Sequence, residues 1–259
     1  MENPLKDLRI LVTRGNEQRS AMSELIKKYG GIPIEVPLLR YARVDTTETR
    51  RKLETIASFS WIFFTSVNGV KSFFDLLNKM NITFPQGVKV AAVGTKTANC
   101  LEAFGVTVDY IPSLFNAEVM GREFLPIYES NNNVLLVQGN LSRDVLPLFF
   151  EEQNIPYDTV VVYETKVNER EKTRLQQILE EEPLDVLTFT SPSCVHAFFE
   201  LGGELAIQRK AQFTLCIGTT TEEAAKKAGF HKILTPKQFT VSHMVEALVD
   251  YVKKGNEII

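Results

Sequence analysis

The segment FTSVNGVKSFF at residues 64–74 returns as FTSPSCVHAFF at 189–199, an offset of 125 in a chain of 259 residues. Phe, Thr and Ser open both copies, and Val70/Val195, Phe73/Phe198 and Phe74/Phe199 repeat inside them. The likeness runs on. VGTKTANCLEAFG follows a strand-like run at 88–93, and IGTTTEEAAKKAG follows another at 213–217, so that Gly94/Gly218, Thr95/Thr219 and Thr97/Thr221 pair at an offset of 124. A looser third pair sets ILVTRGNEQRSAMSELIKKYGGIPIEV near the N-terminus against VLLVQGNLSRDVLPLFFEEQNIPYDTVVV in the middle. Solenoid repeats recur every 20–50 residues or so, which is far shorter. A period of half the chain specifies two related domains, and a chain of this length has room for two.

Each unit reads alike. An apolar run (10–12, 61–64, 134–137, 186–189) meets a small polar cluster, and a helical pattern begins. Val70, Phe73, Phe74 and Leu77 form the i, i+3, i+4, i+7 stripe of a helix packed on one face. Ser66 and Ser191 stand where N-caps belong, and Pro192 stands at the first helical position, where its missing N–H is not needed. Strands alternating with helices, without hairpin signals, predict parallel sheets covered by helices on both faces. The expected fold class is therefore α/β, doubly wound, twice. Asn131-Asn132-Asn133 reads as a turn between a helix and the strand at Val134. Two extended stretches, IEVPLLRYARVD (34–45) and VVVYETKVNE (ending at 169), outrun a normal core strand and turn polar, as a pair of crossings between domains would.

Composition narrows the ligand. Lys plus Arg total 29 against 32 Asp plus Glu, a formal net charge of −3, so no broad basic surface for nucleic acid is expected. Apolar residues make up 44%, yet no apolar run approaches the roughly 20 residues that span a bilayer, so no membrane partner is expected either. Met1-Glu2-Asn3-Pro4 lacks a signal-peptide apolar core, and a cytoplasmic location is the default expectation. Cys100, Cys194 and Cys216 are scattered and odd in number, which fits neither a disulfide framework nor a metal spacing.

Ligands of open parallel sheets bind beyond the carboxyl ends of the strands. The clusters at those ends are Thr13-Arg14, Thr65-Ser66-Val67-Asn68, Gly94-Thr95-Lys96-Thr97, Gln138-Gly139-Asn140-Leu141-Ser142-Arg143, Thr190-Ser191-Pro192-Ser193 and Gly218-Thr219-Thr220-Thr221. Hydroxyls, amides and glycines dominate them, and most open a helix, whose free N–H groups and dipole favour anions. Six such clusters facing one cleft would hold a molecule with many carboxylates. Ser and Thr at helix starts are equally ordinary caps, and Lys96 equally reads as solvated; number and repetition favour the ligand. No GxGxxG follows a strand and no GxxxxGK[ST] occurs, so nucleotide cofactors lack a motif. His196, His231 and His243 are dispersed, and Ser66 and Ser191 lack the GxSxG elbow of a hydrolase. No metal site is expected.

In this order and spacing, ILVTR, FTSVNGV, VGTKTA, VQGNLSRDVLP, VVVYET, FTSPSCV and IGTTT resemble the uroporphyrinogen-III synthase family over nearly the whole chain. The resemblance implies two flavodoxin-like domains around a cleft. One is discontinuous (1–36 and 168–259), one continuous (42–162), and 37–41 with 163–167 form a linker ladder, each sequence half donating strands across it. It implies cyclisation of hydroxymethylbilane, a linear tetrapyrrole with eight carboxylates, with loss of water and inversion of the terminal ring, through an azafulvene and a spiro intermediate. It implies no cofactor. Tyr163 in VVVYET matches the tyrosine that assists hydroxyl departure, since a phenol can donate a hydrogen bond. Arg14, Thr65, Ser66, Asn68, Thr95, Lys96, Thr97, Gln138, Gly139, Asn140, Ser142, Arg143, Ser191, Ser193, Thr219, Thr220 and Thr221 become the substrate-binding set. Gly15 and Thr219 stand where proline is common in the family, leaving the loops beside Arg14 and Thr220 less determined. A monomer is the default expectation. The alternative is a polyanion-binding or regulatory homologue without turnover.

Overall fold

A computed structural model of the chain describes residues 3–14, 16–256 and 258, and for 16–20 the backbone alone. Gly15 lies outside the described residues. In chain order the strands are β1 (Arg9–Val12), β2 (Ile32–Glu35), β3 (Leu39–Arg43), β4 (Trp61–Phe64), β5 (Lys89–Ala92), β6 (Val134–Gly139), β7 (Tyr157–Val167), β8 (Val186–Phe189), β9 (Phe213–Cys216) and β10 (Ile233–Leu234). The helices are α1 (Asn16–Lys28), α2 (Thr47–Glu54), α3 (Val67–Met80), α4 (Thr95–Ala103), α5 (Ala117–Phe124), α6 (Val145–Glu152), α7 (Lys172–Glu181), α8 (Pro192–Gln208), α9 (Thr219–Lys227) and α10 (Val241–Lys253). The chain divides into two compact units, Met1–Arg40 with Lys166–Ile259, and Tyr41–Thr165.

The first unit holds a sheet in the order β10-β9-β8-β1-β2, parallel throughout. Its strands alternate between two cores: Leu11, Leu187 and Phe189 pack into one, Ile10, Val12 and Val186 into the other. That alternation, buried on both faces, is why the strands read as unbroken apolar runs. Beside the strand ends the Thr13 hydroxyl donates to the Thr188 carbonyl at 2.7 Å, and the Thr188 hydroxyl donates to the Leu11 carbonyl, also at 2.7 Å.

The second unit holds the order β3-β7-β6-β4-β5. Ile62 and Phe64 face one core and Trp61 and Phe63 the other. The predicted stripe of α3 (Val70, Phe73, Phe74, Leu77) is buried against Ile62 and Phe64. One pair in this sheet is antiparallel, and it involves the two extended stretches singled out in the sequence. β7 to β6, β6 to β4 and β4 to β5 are parallel, but β3 runs against β7. The Val44 N–H donates to the Val162 carbonyl at 3.0 Å and the Asn168 N–H to the Leu38 carbonyl at 2.8 Å, so rising numbers on one strand meet falling numbers on the other. Both passages of the chain from one unit to the other, at 40/41 and 165/166, fall within this pair of strands. An edge strand entered from outside the unit needs no crossover helix, which frees it from the parallel direction.

The strand registers show the duplication directly. Arg9 pairs with Ile32, and Val134 with Tyr157, each number larger by 125. Leu215 pairs with Leu234, and the isolated parallel bridge Ala91–Tyr110 matches it at an offset of 124. β1 and β2 therefore correspond to β6 and β7, while β4, β5 and Tyr110 correspond to β8, β9 and β10. Each half of the sequence gives its first two strands to one sheet and its last strands to the other. Numbered by counterpart, both sheets read 2-1-3-4-5, the flavodoxin-like order, with β3 added at the edge of the second.

Candidate functional site

In a doubly wound sheet the crevice opens where the strand order reverses. In the second unit that point lies between β4 and β6. A pocket of about 350 Å³ occupies it, lined by Thr65 and Ser66 after β4, Val93 after β5, and Gln138, Leu141, Ser142, Arg143 and Leu146 at and after the end of β6. Tyr163 from β7 and Phe115, Asn116 and Ala117 at the start of α5 complete it. The volume is at the lower end of the roughly 300–1,000 Å³ typical of small-molecule sites.

Two helix starts are capped at its edge by the pocket's own side chains. Ser66 Oγ accepts the Gly69 N–H at 3.0 Å to begin α3, and Asn116 Oδ1 accepts the Val119 N–H at 2.8 Å to begin α5. The dipoles of both helices present their positive ends there. Arg143 adds an exposed guanidinium, 3.6 Å from Glu118. Among the described residues neither a carboxylate nor an imidazole lines the pocket. Chemically the wall offers hydrogen bonds and positive potential to an anion, with one phenol beside them.

That phenol is positioned by its neighbours. Tyr163 OH lies 3.2 Å from Ser66 Oγ, so the hydroxyl that caps α3 also meets the phenol. The register between β6 and β7 shifts between Gln138 and Gly139, which pair with Val161 and Tyr163. Such a bulge re-aims the side chain that follows it. Gly139 lies directly against the phenol ring: a Cβ there would fall 2.6 Å from Cε2 and 2.8 Å from the hydroxyl. The loop after Gly139 is tied by the Gly139 N–H donating to Ser142 Oγ at 3.1 Å, and by Asn140 Oδ1 accepting the Thr165 N–H at 2.8 Å. From the outer side Tyr41 meets the Tyr163 ring edge-on, centroids 5.9 Å apart.

The repeat breaks at the ring. At an offset of 125, Tyr163 corresponds to Leu38, so the phenol has no counterpart in the first unit. The capping serine is retained: Ser191 Oγ accepts the Cys194 N–H at 3.2 Å to begin α8, as Ser66 begins α3.

Of the residues singled out in the sequence, the pocket gathers Thr65, Ser66, Gln138, Ser142, Arg143 and Tyr163, with Gly139 directly behind the phenol. Asn68, half buried, lies in the first turn of α3, and Asn140 is exposed in the tied loop. Thr95 and Lys96 are exposed at the start of α4, and Thr219 and Thr220 are exposed at the start of α9. Ser191 and Ser193 are half buried at the start of α8, and Arg14 is half buried after β1. Thr97 and Thr221 differ from the expectation of hydroxyls facing a ligand: they are 4% and 3% exposed, because the third residue of each helix turns inward once its backbone N–H bonds to Gly94 or Gly218.

Phe115 was not singled out, although it lines the pocket and is 61% exposed. The signal was in the repeat. IPSLFNAEV at 111–119 matches TPKQFTVSH at 235–243 at an offset of 124, bringing Pro112/Pro236, Phe115/Phe239 and the N-caps Asn116/Thr240 into register.

A larger pocket, about 770 Å³, lies in the first unit, where Phe213 opens β9 at the amino end of the strand. Two of its polar side chains, Arg209 and Gln212, are already engaged: Arg209 donates to the carbonyls of Leu179 and Glu182, and Gln212 to those of Leu184 and Asp185. Size alone does not make it the better site. Among the described residues no helix is long and apolar enough to cross a membrane.

Comparison with known proteins points one way. The family described as Uroporphyrinogen-III synthase HemD matches residues 20–246. The uroporphyrinogen-III synthase of Chlorobaculum parvum is 30% identical over 251 residues, 94% of this chain and 99% of that one. The porphyrin biosynthesis protein HemD of Ruminiclostridium josui is 27% identical over 253 residues, 96% of this chain but 50% of that protein, so the chain spans half its length. Among solved structures, a mutant uroporphyrinogen III synthase from Thermus thermophilus superposes with a TM-score of 0.65 at 17% identity, covering 95% of this chain and 99% of that one. The synthetase of Helicobacter pylori 26695 gives 0.64 at 19% identity, covering 94% and 99%. At such identities the two structures attest the shared α/β fold.

Proposed function

The chain belongs to the uroporphyrinogen-III synthase family, enzymes of heme biosynthesis that cyclise hydroxymethylbilane, and from that premise we propose a division of labour among its residues. The strand-end hydroxyls, amides and helix starts hold the carboxylates, while Tyr163 serves the leaving hydroxyl. The observation that carries this reading is the phenol of Tyr163 held between Ser66 and the bare backbone of Gly139, in a pocket where, among the described residues, Arg143 is the one other ionisable group.

The chemistry asks little acid or base of the protein. The pyrrole nitrogen pushes its electrons into the ring, the C–O bond of the hydroxymethyl group breaks, and the oxygen leaves as water once protonated. Loss of the pyrrole N–H proton leaves an azafulvene. Tyr163 OH donates a hydrogen bond to the departing oxygen, and Ser66 Oγ, at 3.2 Å, keeps the phenol in line. The terminal ring then attacks the azafulvene through its already substituted carbon, giving the spiro intermediate that opens and recloses with that ring inverted. Since the free bilane closes unaided to the symmetrical isomer, the protein's main task is to hold the chain in the geometry of the other closure. Thr65, Asn68, Thr95, Gln138, Asn140, Ser142 and Arg143 in one unit, and Arg14, Ser191, Ser193, Thr219 and Thr220 in the other, are the side chains offered to the substrate's carboxylates.

The test is the isomer assay. Hydroxymethylbilane is generated in solution with the protein present, the products are oxidised, and uroporphyrins I and III are separated. Predominant type III is expected. Type I alone, at the rate without protein, would leave a binding homologue without turnover.

A further inference from the structure

Phe115 and Phe239 are 61% and 57% exposed, at equivalent places in the two units. Each follows a buried proline by three residues, Pro112 and Pro236, and directly precedes the N-cap of a helix, Asn116 for α5 and Thr240 for α10. Each ring also rests on a glycine that opens a different helix. A Cβ on Gly94, before α4, would fall 3.0 Å from Phe115 Cγ, and one on Gly218, before α9, 3.1 Å from Phe239 Cγ. Both glycines are extended, with φ of −174° and −168°, a conformation any residue adopts. What the positions require is the missing side chain, which gives the ring a flat seat on the backbone.

A large apolar ring left in water forfeits burial that the nearby cores could have supplied, and here it happens twice in register. The proposed substrate explains the need. Its carboxylates suit the hydroxyls and helix starts, but its four pyrrole rings also present flat apolar faces, which those groups cannot match. Phe115 lines the same pocket as Thr65, Gln138, Arg143 and Tyr163. Phe239 stands over the glycine preceding Thr219 and Thr220, exposed hydroxyls at the start of α9.

We propose that Phe115 and Phe239 are pyrrole-binding residues, each packing its ring against the face of one pyrrole of the tetrapyrrole while the neighbouring polar groups take the carboxylates. The inference rests on the functional reading above and deepens it. Phe115→Ala and Phe239→Ala each raise KM for type III formation about two- to tenfold, the range of one aromatic contact, with kcat within about twofold and unchanged thermal unfolding. Phe115→Trp and Phe239→Trp place a fluorescent reporter at each position. The one native tryptophan, Trp61, is 2% exposed, so the emission of the added indole reports its own surroundings. Titration with uroporphyrinogen III quenches it.

Unchanged KM in both alanine variants, or unquenched emission in both tryptophan variants, overturns the proposal. The two readings fail separately. A wild-type protein forming only type I removes the enzymatic reading, while quenching by uroporphyrinogen III still upholds the aromatic contact. A wild-type protein forming type III with insensitive phenylalanines removes the contact alone.

Discussion

Gly139→Ala tests whether the placement of one ring governs turnover. Gly139 is not among the glycines with positive φ, so alanine meets no backbone strain there. Its Cβ would instead lie 2.6 Å from Tyr163 Cε2 and 2.8 Å from the phenol oxygen. Non-bonded carbons settle at about 3.5–4.0 Å, so the ring must retreat by roughly 1 Å. Forcing it aside costs about 1–3 kcal/mol of stability as overpacking, and a 1 Å misplacement at a reacting centre costs about 100-fold in rate. Tyr163→Phe removes the hydrogen-bond donor and keeps the ring. General-acid assistance supplies about 10²–10⁴-fold, and a substrate that can lose its hydroxyl unaided belongs at the low end, about 100-fold. If glycine acts through the phenol, the two losses share one cause. The double variant Gly139→Ala/Tyr163→Phe then has the kcat of Tyr163→Phe alone, instead of about a further 100-fold less. The assay is kcat for type III formation with the fraction of type I scored alongside, on protein shown folded by circular dichroism. Full activity in Gly139→Ala, or multiplicative losses in the double variant, would refute the reasoning.

Other outcomes follow from the same geometry. Ser66→Ala and Ser191→Ala each remove an N-cap and each lower stability by about 1 kcal/mol in denaturant melts. Only Ser66→Ala also lowers kcat, because only Ser66 meets a phenol; equal kcat values in the two variants would contradict this. Burial pushes the Cys216 thiol up to about 12. A thiol reagent at pH 8 is therefore expected to label half-exposed Cys100 in the folded chain, with Cys194 and Cys216 reacting only after unfolding. Rapid native labelling of Cys216, read by mass spectrometry, would count against the packing. Burial, with Glu123 nearby, pushes Tyr110 up to about 12, and a hydrogen bond to Glu151 does the same for Tyr157. Raised folded values mean that the folded chain holds protons the unfolded chain releases, so the stability from these groups is present below about pH 9 and is lost as pH rises towards 12. Urea midpoints measured at pH 7, 9 and 10.5 are expected to fall across the last interval.

Much of the fold was legible because its signals are short-ranged. The caps at Ser66 and Ser191 need only a serine and the N–H three residues on, and the stripe on α3 needs only spacing. The twofold unit was legible because duplication leaves a literal copy. The seat of Phe115 on Gly94 escaped notice because the two residues are 21 apart, and nothing local marks the contact. The inward turn of Thr97 and Thr221 escaped for the opposite reason: a hydroxyl in the first turn of a helix reads the same whether it faces water or the core.

Residue order alone was enough to specify two α/β units, their strand-end polar clusters and the family. These depend on periodicity and local spacing, which are properties of one stretch of chain at a time. Tertiary packing settled that β3 runs against β7, and that the β6–β7 register brings a bare glycine under one tyrosine. Those outcomes depend on pairing between residues far apart along the chain. There the energy lies in the match of two surfaces, and neither strand carries a record of its partner.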